Sequence, residues 1–151
     1  MSVKLADITH GIEIDAPRAV VWVVLTGTDT VPQWLGCLHY TGVPGSTFHM
    51  QPDRVKYVAG DASGATFCDI EEARPPELFR FSWYMPGTEK TMVTIRLQEV
   101  DANRTRVTLT HSGWDQFPAE MVKPIRDQLE GGWGSFVLPN LKRVAEAAQR
   151  G

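Results

Sequence analysis

The chain has 151 residues, 42% of them hydrophobic and 22% charged, with a net charge of −3 at neutral pH. A chain of this length forms one domain and buries about two-thirds of its unfolded surface. So small and mixed a charge gives no argument for nucleic acid or an anionic membrane as an electrostatic partner, and neither is expected. The longest apolar run, residues 19–25, is far short of the ~20 residues of a membrane-spanning helix.

The first eleven residues, MSVKLADITHG, hold one lysine and no apolar core, so no secretory signal is expected there. Ile8, His10, Ile12 and Ile14 share one parity while Thr9, Gly11 and Glu13 share the other, which predicts a half-buried strand. Asp15 and Pro17 then form a helix-start signal, with Asp15 as the expected cap. The Val-rich stretch 18–25 reads as β on propensity alone, and the Asp-Ala-Pro start decides for a helix. A second short helix is expected after Gly27, over 29–35, with Pro32, Trp34 and Leu35 in it.

Beyond the Pro44-Gly45 turn the pattern predicts strands at 46–51, 55–60, 65–73, 78–85, 91–100 and 105–112. Pro52-Asp53, 61–64, Pro75-Pro76, Pro86-Gly87 and 101–103 supply the turns between them. Phe79, Phe81 and Trp83 share one face, as do Val93, Ile95 and Leu97, and Val107, Leu109 and His111. Arg80, Ser82, Arg96, Gln98, Arg106, Thr108 and Thr110 occupy the other, so one face is covered and one wet. The short 101–103 connection makes the last two strands antiparallel neighbours.

In the C-terminal segment Met121, Ile125, Leu129, Trp133, Phe136, Val137, Leu141, Val144 and Ala148 recur at steps of three and four. A long helix is expected over 124–148, started by Pro124 and kinked between Ser135 and Pro139. Gly131, Gly132 and Gly134 cost a helix about 1 kcal/mol each relative to alanine. Close approach of the helix backbone to the sheet, or to something held beneath it, is the compensating reason expected for them.

Residues along the whole chain resemble one branch of the START-like (SRPBCC) superfamily, the branch related to the activator of the ninety-kilodalton heat-shock protein's ATPase. The matching words are Ile14-Asp15-Ala16-Pro17 with Val21-Trp22 and Leu25, Trp34-Leu35, and Pro75-Pro76 with Leu78 and Trp83. Thr108 to Gly113 (TLTHSG) and Gly132-Trp133 with Phe136 complete the set, in the family's order. The resemblance implies an α+β helix-grip fold, a seven-stranded curved antiparallel sheet around a long C-terminal helix with two short helices after the first strand. It often brings an apolar cavity between sheet and helix. Ser46 stands where the family usually has a second glycine after the turn, and Pro139 interrupts the last helix.

The cavity wall expected from parity and helix phase comprises Trp34, Phe67, Phe81, Trp83, Ile95, His111, Trp133, Phe136 and Val137. A small hydrophobic or aromatic molecule, lipid-, polyketide- or flavonoid-like, is the expected ligand. The Trp set of 34, 83, 114 and 133 reads as core ahead of ligand box, and in the implied fold the core face of the sheet is also the cavity wall. His111 is either a core histidine with satisfied nitrogens or a polar anchor in the cavity, and an inward Asp69 would make the two an acid–base pair of the cyclase or hydrolase kind. A co-chaperone or stress-response role is implied by the resemblance alone. Cys37-Leu38-His39 offers two ligand types without a second pair, so no metal and no cofactor is expected. Unpaired Cys37 and Cys68 fit a reducing cytoplasm, and the chain is expected to be a monomer or homodimer.

Overall fold

The computed structural model describes residues 5–51, 53–85 and 87–150. Pro52 and Pro86, each the first residue of an expected turn, lie outside them, as do residues 1–4 of the N-terminal stretch. Strand β1 (Ile8–Ile14) is followed by helices α1 (Arg18–Thr26) and α2 (Val31–Leu35). Strands β2 (Cys37–Leu38) and β3 (Thr47–Met50) lead to helix α3 (Arg54–Val58). Then come β4 (Thr66–Arg74), β5 (Leu78–Trp83), β6 (Thr91–Asp101) and β7 (Arg104–Ser112). A 3-10 turn (Trp114–Gln116) precedes α4 (Ala119–Gly132), a π-helical turn (Trp133–Val137) and α5 (Leu138–Arg150).

The strands form one seven-stranded sheet in the order β1-β7-β6-β5-β4-β3-β2, antiparallel at every pairing. With the C-terminal helix packed along β1 and against α1 and α2, this is the helix-grip architecture. The expected pairing of the last two long strands is present: Val93 stands opposite His111, Ile95 opposite Leu109 and Leu97 opposite Val107. Side-chain alternation then carries a buried row across five strands, from Ile8 through His111, Val93 and Phe81 to Ile70.

Residues 55–60, expected as a strand, are instead mostly helix. Asp53 caps α3 by accepting a hydrogen bond from the Lys56 amide at 3.1 Å. Val55 and Val58, which made the segment read as β, are 80% and 75% exposed, so their propensity has no packing behind it. The remaining strand is β2, whose two residues are too few for alternation to show. Asp15 does not cap α1: the N-cap is Pro17, and the Asp15 amide donates to Glu146 Oε2 at 2.9 Å.

The long helix begins at Ala119, so Pro124 lies inside it rather than at its start. Its inward residues are Val122, Leu129 and Trp133, then Leu138, Leu141, Val144 and Ala145. Between the two sets, the Leu138 amide reaches back five residues to Trp133 O. That inserts one residue into the 3.6-residue repeat and rotates the rest of the helix. The irregularity expected near Pro139 therefore takes the form of a π turn just ahead of it. Pro139 has no amide hydrogen to give the Ser135 carbonyl. The same rotation sends Phe136 outward, where it is 69% exposed, and places Val137 and Leu138 against the core.

Candidate ligand pocket

His111 ends the buried row on β7, where it is fully buried among three tryptophans. Its ring lies 4.5 Å from Trp114, 5.6 Å from Trp83 and 6.0 Å from Trp133, centroid to centroid. An indole nitrogen can only donate, so the Trp133 Nε1–H, 3.1 Å from His111 Nδ1, fixes that nitrogen as an acceptor. The imidazole hydrogen is therefore on Nε2 and goes to Thr91 Oγ1 at 2.7 Å. Thr91 in turn donates to the Trp83 carbonyl at 2.6 Å, and Trp114 Nε1 donates to the His111 carbonyl at 3.0 Å. Every nitrogen of the ring is thus satisfied in the neutral form, and burial pushes its pKa down to about 3. His111 is a structural histidine that joins helix to sheet.

Asp69 stands on the opposite face of the sheet, its parity set by the buried Cys68 and Ile70 on either side. It accepts hydrogen bonds from Thr47 Oγ1 (2.7 Å), Tyr84 Oη (3.0 Å) and Lys90 Nζ (2.7 Å). Partial burial raises its pKa, but those donors, Lys90 foremost, outweigh it and hold the carboxyl below its usual range. The acid–base pair with His111 does not form, because the sheet separates the two side chains.

On the solvent side of the tryptophan cluster an apolar pocket of about 150 Å³ opens between the β5–β6 turn, the 3-10 turn and α4. Trp83, Thr91 and Trp114 line it from the sheet side. Phe117, Met121, Val122 and Ile125 line it from the helix side, and Tyr84, Met85, Thr88 and Glu89 close its rim. The strand directions explain the location. The ends of β3, β5 and β7 and the starts of β4 and β6 meet at one end of the sheet, so their connections converge there.

Of the nine side chains expected to line a cavity, the structure puts Trp83 in the pocket wall, with His111 and Trp133 directly behind it. Trp34, Phe81 and Ile95 belong to the close-packed core, where Trp34 Nε1 donates to Val24 O at 3.0 Å. Val137 packs against that core without reaching the pocket. Phe67 lies on the wet face, edge-on to His49 at 4.6 Å, and Phe136 faces solvent. Gly131 and Gly132 have open space in front of them, since a Cβ on either would meet nothing within 4 Å, and neither lines the pocket.

Apart from Trp83 the lining residues lie outside the expected set, among them Tyr84, Trp114, Phe117 and Val122. Trp114 carried a signal, as one of the four tryptophans noted. Val122 was masked because the inward stripe continues through Arg126, a charged residue that breaks the apolar pattern. The Arg126 side chain is only 13% exposed, since Nε donates to Ala6 O at 2.9 Å and Nη1 pairs with Glu130 at 2.5 Å.

The class defined by this fold is a helix-grip domain with an apolar pocket at one end of the sheet. The chain belongs to the family described as Activator of Hsp90 ATPase homolog 1-like protein, whose model matches residues 15–146. Among solved structures it resembles the Aha1 dimer from Colwellia psychrerythraea, with 20% identity over 96% of this chain and 99% of that one, TM-score 0.69. It also resembles a Bacillus halodurans protein, BH1534, at 22% identity over 94% and 98%, TM-score 0.67. An Hsp90 activator from Plasmodium falciparum aligns at 17% identity over 91% and 94%, TM-score 0.66. At these identities the likeness concerns the fold. No curated protein matches this chain significantly. No helix among the described residues is long and apolar enough to cross a membrane.

Proposed function

We propose that this protein binds a small apolar or aromatic molecule in the pocket between the β5–β6 turn and α4. The observation that carries the reading is a preformed hollow walled by Trp83, Trp114 and Phe117, with apolar Met121 and Ile125 left 73% and 45% exposed at its edge. An enclosed apolar hollow of about 150 Å³ has room for a single aromatic ring, and this pocket, open at its mouth, offers the same room. Drug-sized ligands occupy about 300–1,000 Å³. The pocket as it stands therefore holds one ring or the end of a chain. A lipid-, polyketide- or flavonoid-like molecule would enter with one end, or would require α4 to move away from the β5–β6 turn. The fully hydrogen-bonded His111 and the outward-facing Asp69 give the pocket no acid–base pair, which favours binding over cyclase or hydrolase chemistry. Two buried, unpaired cysteines support a reducing compartment such as the cytoplasm.

Trp83 and Trp114 supply the assay. Indole and naphthol titrations should change tryptophan fluorescence and raise the melting temperature in a saturable way, and Ile125→Trp, which fills the mouth, should abolish both. If neither signal moves for any ring-sized ligand, the proposal fails. The family description points to a separate role, and stimulation of an Hsp90 ATPase by this chain, unaffected by Ile125→Trp, would favour a co-chaperone function instead. The Colwellia relative is described as a dimer, so sedimentation measurements should accompany both assays.

A further inference from the structure

At the β2 edge of the sheet, His39 and His49 bring their Nδ1 atoms to 3.0 Å from each other, with ring centroids 5.1 Å apart and planes at 87°. His39 follows β2 directly, and His49 lies on β3 opposite Leu38. Two features hold the rings in place. His39 takes φ +63°, the one positive value at a non-glycine position among the described residues, a conformation that costs energy and turns the side chain toward β3. The His49 ring is in turn fixed edge-on against Phe67 at 4.6 Å. His39 is exposed and His49 half-buried, so both are open to solvent ions.

We propose that this pair is a binding site for a divalent, imidazole-preferring metal ion such as Zn²⁺, Ni²⁺ or Cu²⁺. Two imidazole nitrogens at about 2.0–2.1 Å from one such ion stand roughly 2.9–3.4 Å apart, for angles between octahedral and tetrahedral. The observed 3.0 Å lies inside that range, so a small rotation of the two rings is enough to aim both lone pairs at one ion. Without metal, one Nδ1 carries a hydrogen and donates it to the other. On binding, that hydrogen moves to Nε2 of the same ring, which leaves both Nδ1 atoms as acceptors and the proton balance unchanged. Cys37, next but one to His39, takes no part: its thiol is buried in the core and pushed up to about 12. No group of three ligating side chains occurs among the described residues, so water completes the shell and the site is open. The partner of His39 comes from the next strand rather than from its own Cys37-Leu38-His39 segment.

The other histidines make the test clean. His111 is buried with both nitrogens engaged, and His10 Nε2 is bonded to Glu130 O at 2.8 Å. Zn²⁺ titration followed by calorimetry and by histidine ring NMR should show one saturable site, with the His39 and His49 signals moving together. His39→Asn, which tolerates the left-handed backbone, and His49→Gln should each weaken binding by roughly tenfold or more. Both variants should keep the wild-type melting temperature without metal, and His10→Gln should bind as the wild type does. The proposal is overturned if Zn²⁺ does not saturate the chain by about 1 mM, if folded His39→Asn binds equally well, or if only His10 signals move.

Discussion

Gly134 lies against His10: a Cβ built on the glycine would stand 2.8 Å from the imidazole Cε1. That ring comes from the inward side of β1 and donates from Nε2 to Glu130 O in the last turn of α4, so strand and helix meet where the side chain of residue 134 is missing. Gly132, two residues earlier, has open space instead. The glycines therefore differ in role, and only one is required by close approach.

Replacing Gly132 with alanine should stabilise the protein by about 0.5–1 kcal/mol, through helix propensity alone. The same change at Gly134 gains that propensity but displaces His10 and its hydrogen bond, so Gly134→Ala should lag behind Gly132→Ala by about 1–2 kcal/mol. Urea melts of both variants, and of Gly134→Ala combined with His10→Ala, give the check. The lag should disappear in the double variant.

Below neutral pH the buried His111 should make the fold less stable. Its pKa is 6.5 when unfolded and about 3 when folded, so the unfolded chain takes up the proton first. Stability is complete above pH 6.5 and falls by about 1.4 kcal/mol per pH unit as pH drops toward 3. His49, lowered by partial burial and by His39, acts in the same direction. Asp69 and Glu146, also lowered, add their losses only below the ordinary carboxylate range. The measurement is the difference between wild type and His111→Gln across pH 6.5–5, where the variant should show a clearly shallower slope. Equal slopes would mean that His111 is hydrated and titrates normally.

The π turn fixes which side chains after Trp133 face inward. Leu138→Ala should cost about 2–5 kcal/mol, as a buried leucine does, whereas Phe136→Ser should change stability by about 0.5 kcal/mol or less. Thermal unfolding of the pair separates the observed helix phase from an uninterrupted one, which would make Phe136 the costly position.

The fold was legible wherever one face of an element is buried over several residues. Alternation in β1 and in β5 to β7 gave strand and face, because burial imposes the period of two, and the short 101–103 connection gave the pairing of β6 with β7. It failed where tertiary packing is absent, as in α3, whose valines face water, and where an element is too short, as in β2. In the C-terminal helix the expected apolar stripe holds at Leu129 and Trp133, whereas Met121 and Ile125 are exposed and Val122 is buried in their place, and nothing in residue type alone marks the residue inserted by the π turn. The candidate site was legible only in its aromatic content. Trp83 and Trp114 stood out by size, but the pocket lies where loops from several strands converge, and sequence periodicity does not carry that information. Phe67 was assigned inward on a parity opposite to that of Cys68 and Ile70, which the structure shows to be the buried pair.

The account turns on whether the pocket between α4 and the β5–β6 turn takes up an apolar ring. Methyl NMR during an indole titration tests this most directly, because Met121, Val122 and Ile125 all line the hollow and carry methyl groups. The account predicts that these three sets of signals shift together and saturate with one dissociation constant, while Val55 and Val58 on α3 stay in place. Unmoved pocket methyls, or shifts spread evenly over the exposed apolar residues, would contradict it.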